Sequence, residues 1–457
     1  MGVVSLHVAR RNRVSVGLVA AIVGLAFADS SIVVLALPQL YGQFNTSIEG
    51  VSWVLTAYNV AVAVASLALV LFVHRINGKL TLAVGLVLFL AASIACSAAG
   101  SLAFLIAARS VQGVGAALLL AGSLPVLAAL TGSAGAGAAV WTVAGTFGAA
   151  LGPALGGVLT QAFDWRAIFV AQAPVAGLAL IAAVTAPPVN LEEGWHRTLR
   201  RTLPANVCLG LLFGALVGVL FLAVLLVITV WGYSPIGGAA IVSVLPAATL
   251  AVRPLERRVP RLYAVCGGAA LLALGLVALA LIPSPSTAYV IAALAFCGAG
   301  LGLSIPILSH AALNTEAGLA RSGTLTVGMR HLGLVLALGL ISPLLASTLP
   351  AAGDHAELRA TSVLLDAPIP LSTKLPIAYD LVGLFRKARQ GEVPDLAQPF
   401  DSRGAQHDAA LASVRDHLVS AIEETITRCF RPAFLFSALL AALAIPVALV
   451  FRRLVIP

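Results

Sequence analysis

Of the 18 acidic residues in this chain, only Asp29 stands deep inside a long apolar stretch. A charged side chain at the centre of a bilayer costs roughly 2.5–3.5 kcal/mol on insertion scales, so such a group faces a cavity or a cationic partner and marks an ion or proton pathway. Arg109 is the partner at matching depth: Asp29 precedes Pro38 by ~13 Å of helix, and Arg109 lies ~9 Å into its own apolar stretch. Two readings of the pair are open. One is a static buried ion pair; the other, favoured because membrane-embedded ionisable groups are functional by default, is a carboxylate that alternates between a guanidinium and a proton. Substrate and proton then compete for one carboxylate, and exchange follows if one orientation of the protein loads protons and the other releases them on binding substrate. Trp53, Tyr58, Asn59, Gln112, Trp141 and Gln172 are candidates to line the cavity, although for tryptophans near span ends the interfacial belt is the favoured assignment. His331 is a secondary candidate for proton handling near the inner end of an apolar stretch, where its neighbour Arg330 is expected to snorkel to the interface and His310 lies nearby.

These side chains need a scaffold that lives in lipid. Hydrophobic residues make up 60% of the chain and Asp, Glu, Lys and Arg together 10%, against roughly 25% charged in soluble domains. The composition predicts an all-α integral membrane protein with twelve spans, approximately 14–38, 51–73, 80–100, 103–129, 138–160, 167–187, 205–231, 236–253, 262–283, 288–309, 324–348 and 432–451. The first stretch is too long for a signal peptide and lacks a small-residue cleavage site, so it reads as a span. Basic residues fix the direction. Arg10, Arg11, Arg13, Arg75, Lys79, Arg197, Arg200, Arg201, Arg253, Arg257, Arg258, Arg261, Arg321, Arg452 and Arg453 gather at one side, while the short loops of the other side hold only Arg166. Both termini are therefore expected in the cytoplasm of a multi-pass protein of the cell (inner or plasma) membrane. The same scatter at span ends explains the pI of 9.8 better than nucleic-acid binding does. The five cysteines have no metal-ligand spacing and read as packing residues.

The longest polar stretch between the first eleven spans is the connector containing Glu192, Glu193, Trp195, His196, Arg197, Arg200 and Arg201. It falls after the sixth span and divides the chain into an N-terminal half at 1–187, a cytoplasmic linker at 188–204 and a C-terminal half at 205–457. Two six-helix halves that rock about a central site suit alternating access. Residues 349–431 shift to a charged, proline-bearing composition and form an external insertion before the last span, with helices expected at Ile377–Gln390 and Asp408–Phe430. Leu411, Val414, Leu418, Ile422 and Ile426 mark an apolar stripe expected to lie on the membrane surface or on the outer rim. A cap over the exit path and an inert insertion are both open readings of this segment.

Residues 148–157 read Gly-Ala-Ala-Leu-Gly-Pro-Ala-Leu-Gly-Gly. Gly148 with Gly152, and Gly152 with Gly156, give overlapping small-residue spacings that let helix backbones approach closely, with Pro153 and Gly157 completing the pattern. The run resembles the fifth-helix motif of proton-driven exporters in the major facilitator superfamily, where it is thought to seal the cavity. Asp29 to Pro38 looks like the first-helix motif of that superfamily's drug:proton antiporter branch usually built with fourteen helices, here with twelve. Ala107 to Ala117, including Arg109, Gln112, Gly113 and Gly115, resembles the fourth-helix motif, and Asp164-Trp165-Arg166 to Phe169 the opening of the sixth helix. Val230 to Gly238 and Leu245-Pro246 resemble a later helix pair. One departure is plain: the loop with Val70, His74, Arg75, Ile76, Asn77, Gly78 and Lys79 lacks the usual aspartate, which puts the usual gating contact in doubt.

The resemblance implies the major facilitator fold and a monomeric, multidrug-type efflux antiporter. It would move amphipathic or hydrophobic small molecules by proton-coupled alternating access, with protons, membrane lipids and a small-molecule or lipid-like substrate as partners. A lipid or lipid-precursor flippase is the alternative within transport. A non-transporting sensor or partner-binding scaffold is the alternative outside it. No Walker loop, zinc spacing or nucleophile elbow is present, so neither an enzyme, nor a cofactor, nor a metal is expected.

Overall fold

The computed structural model describes residues 2–72, 77–187, 189, 195–256, 258–313, 318–387 and 395–455. His74, Arg75, Ile76, Glu192, Glu193 and Arg257 lie outside the described residues, as do the side chains of Arg10, Arg11 and 195–201. Among the described residues, twelve helices are long and apolar enough to cross a membrane. We number them α1 (Asn12–Val34), α2 (Ile48–Phe72), α3 (Gly78–Ser97), α4 (Leu102–Thr131), α5 (Ala134–Ala162), α6 (Arg166–Thr185), α7 (Thr202–Val230), α8 (Pro235–Leu255), α9 (Arg261–Ala280), α10 (Thr287–Ala312), α11 (Leu319–Asp366) and α12 (Arg431–Val450). The described residues contain no β-strand.

Short polar residues start several spans. Asn77 accepts hydrogen bonds from the N–H groups of Lys79 and Leu80 at the head of α3, and Ser101, Ser133 and Ser286 do the same for α4, α5 and α10. Pro246 breaks α8. Its missing N–H would have bonded the Val242 carbonyl, and the helix divides there into Pro235–Val242 and Val244–Ala251. The first span is also shorter than expected at its far end, because the chain turns after Val34 and runs into a separate helix, Leu37–Phe44.

The spans form two six-helix sets. In the first, α1 packs on α5 and α6, and α4 packs on α2 and α3; in the second, α7 packs on α11 and α12, and α9 on α10 and α12. The sets meet through α2 with α11, α4 with α11 and α5 with α8. Small residues make these crossings close, as where a Cβ on Gly85 or Gly115 would run into the opposing backbone of α4 or α3.

The insertion differs most from expectation. No helix break occurs near 349: α11 continues as one helix of 48 residues to Asp366, roughly 72 Å and about twice what a bilayer needs. Residues 351–366 include four alanines and three leucines, strong helix formers that keep the helix going once it leaves the apolar span. Helices Leu371–Lys387 and Ala409–Thr427 then fold back on it. The expected apolar stripe is buried, but not against lipid. Leu411, Leu418 and Ile422 share a core with Ala356, Ala360 and Leu364 of α11 and with Ile377, Leu381 and Phe400. Arg403 pairs with Asp380 and Arg415 with Asp401 inside this small unit, each at 2.7 Å. Trp231 Nε1 donates to Thr427 Oγ1 at 3.1 Å and Thr348 Oγ1 to the Cys429 carbonyl at 3.2 Å, so the unit is fastened to α7 and α11 of the second set.

Candidate functional site

Asp29 and Arg109 meet. Arg109 Nη2 lies 2.7 Å from Asp29 Oδ2, with both side chains wholly buried. The α4 backbone puts Arg109 and Gln112 on one face at a spacing of three, and the network closes through them. Asp29 Oδ1 accepts from Gln172 Nε2 at 2.8 Å, Gln172 Oε1 accepts from Gln112 Nε2 at 2.6 Å, and Gln112 Oε1 accepts from Arg109 Nη1 at 2.7 Å. This ring joins α1, α4 and α6. Ser93 of α3 accepts the second Gln112 proton at 2.9 Å, and Arg109 Nε donates to the Val54 carbonyl of α2 at 3.1 Å. Five of the six spans of the first set thus hold one charge pair.

The rest of the guanidinium is covered by rings. Its carbon lies 4.2 Å from the Tyr58 centroid and 5.6 Å from that of Phe169. Tyr58 is held by its hydroxyl, which donates to the Ala26 carbonyl at 3.2 Å. Asn59 donates to the Leu55 carbonyl at 2.8 Å and accepts from Ser30 at 3.1 Å, beside Asp29. Tyr58, Asn59, Gln112 and Gln172 therefore surround the ion pair inside the first set, and none lines the cavity between the sets as expected. His331 of α11 faces Tyr58 with ring centroids 6.4 Å apart, its Nδ1 bonded to the Val327 carbonyl at 2.8 Å. It is buried within the bundle, not placed near a span end.

The glycine run on α5 faces two ways. A Cβ on Gly148 would strike the Gly24 backbone, one on Gly152 the Ser31 hydroxyl, and one on Gly156 would stand 2.5 Å from the Ile32 carbonyl oxygen, so all three hold α5 against α1. Gly157 faces α8, where a Cβ would collide with Ala239. Pro153 is buried inside the helix between them, and Gly113 holds α4 against α2, with a Cβ there only 2.5 Å from the Tyr58 carbonyl oxygen.

The two ends of the bundle differ. At the end that carries the insertion, Ile236 N–H donates to Gln161 Oε1 at 2.9 Å and Ser342 donates to Ser52 at 3.0 Å, joining the two sets. Away from that end a cavity of about 80 Å³ lies between them, bounded by Phe27 and Trp141 on one side and Phe213, Leu245, Arg253 and Arg330 on the other. Trp141 is a wall of this cavity, its Nε1 bonded to Ser123 at 3.1 Å, whereas Trp53 is 53% exposed on the outer surface of α2. Arg330 does not snorkel to the interface. It lies inside, on the aromatic rings of Phe27 and Phe213. No sequence spacing links those three residues, and only the packing of α1, α7 and α11 assembles them. Among the described residues no His, Cys, Asp and Glu group could hold a metal ion.

The profile of the Major Facilitator Superfamily matches residues 19–346. Multidrug resistance protein Stp of Mycobacterium tuberculosis is 32% identical over 204 residues, which is 44% of this chain and 37% of that protein. Methylenomycin A resistance protein of Bacillus subtilis is 35% identical over 162 residues, 35% of each chain. These alignments span little more than a third of the curated relatives. Among solved structures, an inward-facing, occupied bacterial homologue of the human lysosomal transporter Spinster superimposes with a TM-score of 0.63 over 96% of this chain and 97% of that one, at 17% identity.

Proposed function

Because this chain belongs to the major facilitator superfamily, we propose that it is a secondary active transporter that exports amphipathic or hydrophobic small molecules in exchange for protons. The observation that carries this reading is the Asp29–Arg109 pair, fully buried and 2.7 Å apart, with every other polar contact supplied by neutral groups. The relatives named for drug resistance support the export direction, and the match to a family of transporters argues against an enzyme.

The chemistry follows from mutual exclusion. A protonated Asp29 can no longer neutralise Arg109, although Val54, Gln112 and Tyr58 still hold the guanidinium. Loss of the ion pair frees α1 from α4, and α1 also carries Phe27 on the cavity wall two residues away. The intact pair favours the substrate-binding cavity and the protonated carboxyl favours its release, so the two ligands compete through the conformation of α1 without sharing atoms. Rocking about the contacts of α2 with α11 and α5 with α8 then exposes the cavity alternately. The contacts joining the sets at Gln161–Ile236 and Ser52–Ser342 close the insertion-bearing side, which we assign to the outside, with both termini in the cytoplasm. The protein acts as a monomer in the cell membrane.

The test is reconstitution into proteoliposomes under an imposed pH gradient with a panel of dyes and antibiotics. At least one amphipathic compound should move against its gradient and alkalinise or acidify the lumen in proportion. Movement of labelled lipid between leaflets with no proton flux supports a flippase instead, and ligand binding with neither flux supports a sensor.

The external unit modulates this cycle without carrying its chemistry. Its fastenings to α7 and α11 let it travel with the second set. The eleven acidic and nine basic residues of 349–431 leave little net charge to trap a substrate. Replacing residues 367–427 with a flexible linker that still joins α11 to α12 should change apparent affinity or rate a few-fold and preserve proton coupling. Complete loss of proton flux in a correctly inserted variant would make the unit part of the transport core.

A further inference from the structure

Arg330 is a feature of the cavity that proton exchange does not use. Its guanidinium carbon lies 4.2 Å from the Phe27 centroid on α1 and 3.8 Å from the Phe213 centroid on α7. Phe27 is itself fixed in place. Trp141 meets it edge-on at 4.9 Å, and Gly145 leaves room for its ring, since a Cβ there would stand 2.6 Å from it. Two rings lie against the guanidinium carbon, and rings offer no oxygen to its N–H groups, which read carboxylate, sulfonate or phosphate oxygens with paired bonds. The Nε–H of Arg330 is buried with no hydrogen-bond partner, and none of the ion pairs among the described residues includes Arg330. The cavity wall adds a second cation, Arg253, and no acidic residue. A half-buried guanidinium with no acidic partner is costly, and this one stands on the path between the two sets.

The geometry points to Arg330 as the specificity residue of the cavity, where it selects anionic amphiphiles: molecules with an apolar, ring-bearing body and one carboxylate, sulfonate or phosphate group. Leu245, Leu301 and Ile305 give the body an apolar wall, while the guanidinium edge takes the anion. Cationic amphiphiles meet two like charges and no counter-ion. Negative groups carried by a free acid and by a phospholipid headgroup offer the same chemistry. This inference rests on the reading that the cavity between the sets holds the transported molecule.

Equilibrium binding to the purified full chain in neutral detergent tests it. The probes are an anionic anilinonaphthalene sulfonate and a cationic rhodamine ester, with short-chain phosphatidylglycerol and a free aromatic carboxylic acid as competitors. The anionic dye should bind at least tenfold more tightly than the cationic one. Arg330→Gln should lose at least tenfold in affinity for the anion, and Arg330→Lys, which keeps the charge and loses the planar fork, should fall between. Displacement at lower concentration by the lipid or by the free acid identifies the natural source of the anion. Equal affinity for both dyes, preference for the cation, or an unchanged anion affinity in folded Arg330→Gln overturns the proposal. If Arg330→Gln does not fold, the comparison of dyes on the unaltered protein still decides. Binding needs no proton gradient, so anion selectivity without proton flux would defeat the exchange reading and leave this one standing.

Discussion

Asp29→Asn should abolish proton-coupled transport, by at least tenfold in rate, while the protein still inserts and folds. Asparagine keeps an oxygen for the Gln172 amide and nearly the same volume, so the ring through Gln112 can persist. What it removes is the titrating group and the charge opposite Arg109. Breaking a buried pair by removing one partner typically costs about 3–5 kcal/mol, because the remaining charge is left uncompensated. Here the Val54 carbonyl, Gln112 Oε1 and the Tyr58 ring continue to hold the guanidinium and offset part of that loss. A lowered thermal midpoint with normal membrane yield is therefore expected, together with binding but no exchange. Unchanged proton flux in this variant would remove Asp29 from the mechanism and leave the pair a structural strut.

The second large effect belongs to α5. Gly148→Leu should trap one conformation or separate α1 from α5, because the Gly24 backbone occupies the space and backbone cannot rotate aside. Overpacking of this kind commonly costs about 1–3 kcal/mol or more. Gly152→Leu should act in the same direction, whereas Gly152→Ala should be milder, since a Cβ there meets chiefly the Ser31 hydroxyl. Cysteine accessibility measured from both membrane faces separates the possibilities. A Gly148→Leu protein with parental accessibility on both faces and parental transport contradicts a sealing role for this crossing.

Much of this architecture is legible in the chain. Apolar runs of about 20 residues have few stable outcomes in lipid, so the twelve spans follow from composition, and an isolated carboxylate at depth demands a partner such as Arg109. The glycine spacings announce a close helix crossing, though not that Gly157 turns to α8 while its neighbours face α1. Other features depend on tertiary placement. Gln112 and Gln172 read equally well as cavity lining or as internal bonding until α4 and α6 are docked, and they then close a ring about Asp29. Arg330, near a predicted span end, suggests snorkelling, but α11 begins at Leu319 and carries it well into the bundle. The same helix outruns its apolar segment because propensity for helix does not stop where hydropathy does, as residues 351–366 demonstrate.

Proton release on binding is the most direct test of exchange through Asp29. Purified protein in weakly buffered detergent solution, mixed with a compound that it binds, should release protons in proportion to sites filled, as read by an indicator dye or by calorimetry in buffers of different ionisation heat. The release should vanish in Asp29→Asn at matched occupancy. Binding without proton release in the unaltered protein, or release that persists in Asp29→Asn, would contradict the exchange of substrate against a proton on Asp29.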